Sequence, residues 1–239
     1  MKNSKTVKGL IELKKLPGSY FVDPKLASVY RNKQDTIVNF LKDNGYQEIH
    51  TPLFVPKNLL PAPENTIGKW LISTFSGKDK RATFFLKPFF GCFGMIPFAL
   101  NNIKSYKQLP LYLVEKGPLY GNFPRKWNLI KNSKEDYLGL HGVLISTKNE
   151  IRQLINQLNK LFNFFGVNKV GKNKAKLLEV EITSFYYKNI FVGACFDYKN
   201  TIGKTFGVSY LNKFQKKQPI SWQSFYLSQN LIFLLDERV

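Results

Sequence analysis

Apolar residues recur every three or four positions in two long stretches of the chain. Residues 24–44 carry one such stripe and end at Gly45, which favours helix termination, and residues 147–166 carry a second. Both patterns predict amphipathic helices. The apolar stretch 222–237 predicts a further helix near the end of the sequence.

Short runs of β-branched and aromatic residues predict strands between and after these helices. Residues 46–53 predict a strand interrupted by Pro52, and residues 138–145 predict another. From Leu177 onward, short apolar runs alternate with turn residues, which is typical of successive strands. The lysine-rich stretch 169–176 predicts a loop that precedes them.

The composition indicates a globular domain with a strongly basic surface. At 239 residues and 44% hydrophobic, the chain is long enough to bury a substantial core. It carries 36 basic and 16 acidic residues, for a formal net charge of +20, and Lys far outnumbers Arg. Lysine is a mobile point charge that suits a phosphate backbone better than bidentate base recognition. Nucleic-acid binding is therefore favoured, with a merely solvated basic surface as the alternative.

Cysteine content and the N-terminal sequence bear on the compartment. Cys92 and Cys195 are the only cysteines and lie far apart in the sequence, which predicts a reducing compartment. Residues 1–20 lack both an apolar secretory core and the Arg- and Ser-rich pattern of a transit peptide. No apolar run reaches the ~18 residues of a membrane-spanning helix. We therefore expect no membrane partner, and a protein that either acts where it is made or has a leader absent from this sequence.

Residues 105–124 read SYKQLPLYLVEKGPLYGNFP and resemble motif 2 of the class II aminoacyl-tRNA synthetases, most closely that of the threonyl enzymes. In that family, a segment S-Y-R-D-L-P-L is followed after a short run by Y-R-N-E-P. The resemblance implies that the family's ATP-binding Arg corresponds to Gly121, and its adenine-positioning Glu to Phe123. Neither replacement can stabilise a phosphate through charge.

Other segments resemble the same family in the same chain order. Residues 24–53 resemble motif 1, a long helix and then a strand ending in proline, and residues 84–88 match its strand F-x-L-K-P. Residues 147–151 match the start of a helix that begins T-P-E-Q-I, and residues 196–206 parallel a hairpin of the threonyl enzymes. Several matches in one order are far more specific than any of them alone.

The resemblance implies an α+β fold, a class II synthetase-like core with a mainly antiparallel sheet flanked by helices. It covers about residues 17–237. We expect residues 1–16 to form an N-terminal extension and residues 17–239 to form this single domain. Neither the editing domain nor the anticodon-binding domain of the family is expected.

The resemblance also places motif 3 of the family on residues 221–232. Its ATP-binding Arg corresponds to Gln229 or Asn230, depending on the register, and neither of these carries a charge. Phe225 and Tyr226 stand where the family has small residues. These departures, with those in motif 2, predict a protein that is not an enzyme and that binds no cofactor.

By the same resemblance, the zinc site of the threonyl enzymes is incomplete. Its three ligand positions correspond, in chain order, to Gly91, to His141 or Val143, and to a position near Ser221. A catalytic zinc ion needs three protein ligands, so no metal is expected. We expect Cys92 to be a buried thiol, His141 to be a hydrogen-bonded histidine, and His50 to have a structural role.

Lysine clusters are the remaining candidates for function. There are three such clusters, at residues 125–134, 169–176 and 213–217. The first includes Trp127, which is able to stack on a base. In synthetases the loop of motif 2 faces the tRNA acceptor end, which is where the first cluster lies by resemblance. The predicted RNA-binding residues are Arg125, Lys126, Trp127, Lys131, Lys134, Lys169, Lys172, Lys174, Lys176, Lys213, Lys216 and Lys217.

Together these features predict a non-catalytic, threonyl-synthetase-like protein that is a structural, RNA-binding component of a large ribonucleoprotein. The expected assembly is an organellar, mitochondrial ribosome in the matrix, with ribosomal RNA and neighbouring proteins as partners; a cytoplasmic location is the alternative. The motif 1 region would pair two copies if the chain forms a dimer. Two other functions stay open, an accessory subunit of an organellar DNA polymerase and a divergent enzyme that still forms aminoacyl-adenylates.

Overall fold

The computed structural model describes residues 10–12, 20–56, 73–76, 83–86, 93–120, 135–136, 138–177 and 179–236. In these ranges the helices are α1 (Pro24–Asp43), α2 (Ile96–Asn102), α3 (Ile151–Phe164), α4 (Thr201–Phe206) and α5 (Gln229–Asp236). The strands are β1 (Leu10–Glu12), β2 (Tyr20–Val22), β3 (Gln47–Glu48), β4 (Phe54–Pro56), β5 (Ser73–Ser76), β6 (Thr83–Leu86), β7 (Leu111–Lys116), β8 (Leu119–Tyr120), β9 (Glu135–Asp136), β10 (Leu140–Ser146), β11 (Gly171–Leu177), β12 (Val180–Tyr187), β13 (Ile190–Asp197), β14 (Ser209–Leu211), β15 (Lys217–Pro219) and β16 (Ser221–Leu227).

A seven-stranded sheet forms the centre of the fold, with strand order β11-β12-β13-β16-β10-β7-β3. Neighbouring strands run antiparallel except β3, which pairs with β7 in parallel. The expected α+β fold with a mainly antiparallel sheet is therefore confirmed. Because helices cover both faces of the sheet, side chains on both faces of the inner strands β10 and β16 are buried.

The two faces of the sheet are covered by different helices. One buried cluster joins side chains of α1, α3 and α5 to one face, and includes Leu41, Leu158 and Leu231. The other cluster joins α2 and α4 to the opposite face, and includes Ile96 and Ile202. No helix in the described part of the chain is both long and apolar enough to cross a membrane.

Helix α1 matches its prediction closely, because both of its ends carry strong local signals. Asp23 caps the first turn by accepting a hydrogen bond from the backbone N–H of Lys25 at 2.8 Å, and Pro24 occupies the first turn. The helix ends before Gly45, whose φ of 92° is the left-handed conformation that glycine adopts without strain.

Three sequence predictions of local structure are wrong. The stretch 222–237, predicted as one helix, contains strand β16 and then α5. Residues 169–176, predicted as a loop, mostly belong to β11, the outermost strand of the sheet. Residues 196–206, predicted as a hairpin, are the end of β13 followed by α4.

Candidate functional site

Strands β7, β10 and β16 bring a set of polar and aromatic side chains onto one face of the sheet. His141 on β10 lies directly opposite Glu115 on β7 and opposite Tyr226 on β16. Because side chains alternate along a strand, Val143 and Ser224 share this face. We call it the α2 face, because α2 packs into the same cluster as Val143 and Tyr226.

Glu115 is the centre of a buried hydrogen-bonded group on the α2 face. Its carboxylate accepts hydrogen bonds from the backbone N–H of Thr51 at 2.6 Å and from the Thr51 hydroxyl at 2.7 Å. His141 Nε2 lies 2.8 Å from the same carboxylate, and both of these side chains are 1% exposed. A carboxylate only accepts, so Nε2 carries the proton. His141 is thus hydrogen-bonded, as predicted, and it is also buried.

The rest of the described α2 face is packed interior. Val143, Trp222 and Ser224 are 0% exposed, and Tyr226 is 2% exposed. Trp222, Tyr226 and Val143 pack in one cluster with Met95, Ile96 and Ala99 of the segment around α2. Bulky side chains therefore fill the surface that these three central strands present on this side.

Gln229 and Asn230 occupy the start of α5, directly after the central strand β16. They are 7% and 2% exposed, and the Asn230 side chain donates a hydrogen bond to the carbonyl of Phe191 at 2.8 Å. Its backbone N–H donates to Ser228 Oγ at 3.3 Å. Asn230 is therefore a structural link between α5 and β13. The corresponding positions in motif 2, Gly121 and Phe123, lie outside the described residues.

The positions expected from a zinc site do not form a ligand cluster in the described part of the chain. Val143 and Ser221 are buried, His141 is bound to Glu115, and Gly91 and Cys92 lie outside the described residues. No group of three or more His, Cys, Asp and Glu side chains among the described residues is arranged to hold a metal ion. The expectation that the protein binds no metal stays a prediction.

The two other residues of interest for metal or thiol chemistry have simple environments. Cys195 is a free, fully buried cysteine on β13, and burial raises the pKa of its thiol far above the usual range. It therefore stays protonated and unreactive in the folded protein. His50 is exposed and lies beside Thr51, at the end of the segment that Glu115 holds.

A second buried polar group, which sequence reasoning missed, lies around Asp197. The Asp197 carboxylate accepts hydrogen bonds from the Asn149 side chain at 2.7 Å, from the Gln223 side chain at 3.2 Å and from the backbone N–H of Lys199 at 3.0 Å. Gln223 also donates to Ser221 Oγ at 2.8 Å. These contacts join the start of α3 to β13 and β16, so they support the fold.

A cavity of about 610 Å³ lies between α1 and the end of β7. Lys116 bonds to Asp35 and lies 3.5 Å from Glu48, and the hydrogen bond with Asp35 is the main reason that the pKa of Lys116 is raised. Arg31 also lines the cavity and forms no ion pair with another described residue. The carboxylates of Asp35 and Glu48 offset the charge of Lys116. Among the residues that line this cavity, Arg31 is therefore the positive side chain whose charge is not offset.

The structure places two of the three predicted lysine clusters. Lys172, Lys174 and Lys176 are exposed on the edge strand β11, and Lys169 stands just before it with a φ of 61°. The second described cluster lies in the hairpin of β14 and β15, and consists of Lys213, Lys216 and Lys217. The first cluster, Arg125, Lys126, Trp127, Lys131 and Lys134, lies outside the described residues.

Comparison with known proteins finds no family model that matches the chain. The threonine–tRNA ligase of Halorhodospira halophila is 33% identical over 111 residues, which are 45% of this chain and 17% of that protein. The threonine–tRNA ligase of Alkalilimnicola ehrlichii is 27% identical over 158 residues, 64% of this chain and 24% of that protein. The chain thus corresponds to a quarter or less of the length of these curated relatives.

Solved structures resemble nearly the whole chain. Prolyl-tRNA synthetase from Cryptosporidium parvum, complexed with halofuginone and AMPPNP, matches 96% of this chain and 51% of its own, with a TM-score of 0.75 and 14% identity. Prolyl-tRNA synthetase from Giardia lamblia, in complex with prolyl-adenylate, matches 96% of this chain and 49% of its own, with a TM-score of 0.77 and 13% identity. The chain has the fold of the class II synthetase catalytic core, and its sequence resembles the threonyl enzymes.

Proposed function

We propose that the chain is a non-catalytic, synthetase-like protein that binds RNA and serves as a structural component of a large ribonucleoprotein, a mitochondrial ribosome. The observation that carries this proposal is the contrast between two surfaces. The α2 face of the sheet is closed by packed aromatic and aliphatic side chains, whereas lysines stand exposed at the edge strand β11 and on the β14–β15 hairpin.

Loss of catalysis is supported by the chemistry of the positions that would contact ATP. Amino-acid activation develops negative charge on a phosphate, which cationic side chains or metal ions must stabilise. Gln229 and Asn230 are uncharged and buried, and the Asn230 side chain is engaged with Phe191. On the α2 face, Tyr226 and Trp222 belong to the packed interior. A nucleotide would have to displace these side chains to lie on the sheet.

RNA binding is supported by the edge strand. Lys172, Lys174 and Lys176 alternate along β11, so their side chains emerge on one side, about 7 Å apart along the strand. None of the three forms an ion pair with another described residue. Glu181 beside them bonds to Lys199 at 2.8 Å, which is the main reason that the pKa of Glu181 is lowered. Lys172, Lys174 and Lys176 therefore form a row of positive charge, because the nearby Glu181 is paired with Lys199. This charge also discourages edge-to-edge pairing with other strands.

RNA binding through these lysines is expected to depend steeply on salt. Replacing Lys172, Lys174 and Lys176 with Glu should weaken RNA binding at least tenfold and make the salt slope shallower by about 2, since each phosphate contact to a single strand contributes about 0.7. The measurement is fluorescence anisotropy with labelled RNA at several salt concentrations. The control replaces Lys25, Lys148 and Lys160, exposed lysines elsewhere, with Glu. Equal losses in both triple variants would mean that only net charge matters.

A divergent active enzyme is the second candidate, and the likeness to threonine–tRNA ligases favours it. The proposal predicts no threonine-dependent exchange of pyrophosphate into ATP above the background without amino acid, and none for the other amino acids. A magnesium-supplied exchange assay with an active threonyl enzyme as positive control measures this. An amino-acid-dependent signal that disappears on heat denaturation of this protein would overturn the non-catalytic assignment.

The assembly is identified by purifying the native complex. Recovery of ribosomal RNA and ribosomal proteins with this chain is the expected result. Recovery of a DNA polymerase instead would favour the role of a replication accessory subunit.

A further inference from the structure

We infer that the tip of the β14–β15 hairpin is a binding site for single-stranded RNA, in which the ring of Phe214 stacks on a base and the surrounding lysines contact phosphates. This inference rests on the proposed RNA-binding function and names a contact site for it. The lysines of this hairpin were predicted from the sequence. The aromatic side chain between them, and the neighbouring turn described below, were not.

Phe214 is the most exposed large hydrophobic residue in the described part of the chain, at 69%. It lies in the connection between β14 and β15, whose strands pair from Ser209 opposite Pro219 to Leu211 opposite Lys217. The Lys213 ammonium lies 4.9 Å from the centre of the Phe214 ring. An exposed ring beside a cation is the arrangement that single-strand-binding proteins use to stack a base and hold its backbone.

The hairpin tip is held in one conformation by Asn212. Its side-chain oxygen accepts hydrogen bonds from the backbone N–H of Phe214 at 2.9 Å and of Lys216 at 3.0 Å. Two backbone hydrogen bonds close the same loop, from Asn212 to Lys216 at 3.0 Å and from Gln215 to Asn212 at 2.9 Å. A loop that is already ordered loses less conformational freedom on binding. Phe214 is thus presented outward on a fixed support.

A second segment adjoins the hairpin and extends the surface. Ser105 forms a parallel β-bridge with Leu211, and the backbone N–H of Leu211 donates to the carbonyl of Lys104 at 2.9 Å. This places the 3₁₀ turn Tyr106–Gln108 next to the hairpin. Tyr106 is 39% exposed and Leu211 is 41% exposed, and Lys107 is also exposed. Exposed aromatic and basic side chains therefore occur on both segments.

The two stretches that form this surface carry charge of one sign. Residues 93–114 and 198–235, the two sequence stretches that meet at the bridge, contain no Asp or Glu. None of the hairpin lysines forms an ion pair with another described residue. The surface is therefore complementary to a polyanion, and the exposed rings favour an occupant with accessible aromatic bases over a bare acidic protein surface. Unpaired bases offer their faces for stacking, whereas those in a duplex are already stacked.

The test uses the full chain and a fluorescein-labelled oligoadenylate of about 12 nucleotides, which is within the range of single-strand site sizes. Phe214→Ala should weaken binding about tenfold with an unchanged salt slope, because it removes stacking and no charge. Phe214→Trp should bind the RNA as tightly as wild type does. The RNA should also quench the fluorescence of the introduced tryptophan. Replacing Lys213, Lys216 and Lys217 with Ala should instead make the salt slope shallower by about 2.

Phe164→Ala is the matched control, because Phe164 is 64% exposed but lies at the end of α3. A strand of the same length with abasic sugars should bind wild type and Phe214→Ala equally. Wild-type binding that Phe214→Ala leaves unchanged would overturn this site while leaving RNA binding intact. Absence of any RNA binding by wild type would overturn both proposals. Phe214-dependent binding to anionic phospholipid vesicles without RNA binding would assign the surface to a membrane and would also overturn it.

Discussion

Replacing Glu115 with Leu is expected to lower the free energy of unfolding by about 3 kcal/mol, and the melting temperature by roughly 6–12 °C. The side chain is 1% exposed and, among the described residues, accepts two hydrogen bonds from Thr51 and one from His141. Leucine fills a similar volume but accepts none of them. The loss would therefore come from unsatisfied donors and not from a cavity.

The expected magnitude follows from what each donor would lose. In the leucine variant, the Nε2–H of His141 would stay buried without its acceptor, and the N–H of half-buried Thr51 would lose its acceptor too. A buried donor without its acceptor costs about 1–3 kcal/mol. Local movement of the segment at Thr51 toward water would recover part of that cost. Since β3 pairs with β7 through two residues, the hydrogen bonds from Thr51 to Glu115 add a side-chain contact that fixes this segment to the sheet.

Urea denaturation of three variants measures the effect. Glu115→Gln keeps an oxygen acceptor and should lose less than half as much stability as Glu115→Leu. Glu181→Leu is the matched control, because its carboxylate bonds to Lys199 but its side chain is 58% exposed, and it should leave the urea midpoint essentially unchanged. A loss below 1 kcal/mol for Glu115→Leu would show that the cluster does not stabilise the fold.

The fold was predictable from the order of several weak motifs, whereas the buried contacts between them were not. Glu115 and His141 are 26 positions apart, and nothing in either segment indicates that they face each other. Their contact depends on the antiparallel register of β7 and β10, which places residue 115 opposite residue 141. Thr51 joins them only because β3 runs along the other edge of β7. Such pairings come from tertiary structure.

Local structure was mispredicted where burial removes the usual alternation. Strand β16 is buried on both faces, so its apolar residues Trp222, Phe225, Tyr226 and Leu227 do not alternate with polar ones. Helix α5 is also buried and apolar after its first residues, and periodicity alone cannot separate a buried strand from a buried helix. The opposite error occurred at β11, where three alternating lysines on an exposed edge strand looked like a solvated loop.

The candidate RNA surface was predictable in its charge and not in its shape. Lysines 213, 216 and 217 stand out in the sequence, and so does the absence of acidic residues around them. The position of Phe214 at a hairpin tip depends on the pairing of two three-residue strands and on the Asn212 side chain. The proximity of the turn at Tyr106 depends on a single bridge between residues 105 and 211. Neither is encoded by a local pattern.

Gly142→Ala should destabilise the protein by about 3 kcal/mol, at the upper end of the usual cost of overpacking. Gly142 lies in the middle of β10, opposite Phe225 on one side and Val114 on the other. An added Cβ would come within 2.4 Å of the Phe225 ring and 2.6 Å of the carbonyl oxygen of Leu113. The ring has little room to move, because it is 1% exposed and packs edge-on against Tyr46 at 5.7 Å.

Gly171→Ala is the control, since it also lies in a strand of the same sheet. Its added Cβ would come no closer than 3.7 Å, to the carbonyl of Tyr186, so its stability should change by less than about 0.5 kcal/mol. The stability loss of the double variant Gly142→Ala/Phe225→Leu should be only about 1 kcal/mol smaller than the sum of the two single losses. The reason is that the carbonyl of Leu113 still obstructs the added Cβ. Equal stabilities of Gly142→Ala and Gly171→Ala in urea denaturation would mean that β10 and β7 are farther apart than the described sheet has them.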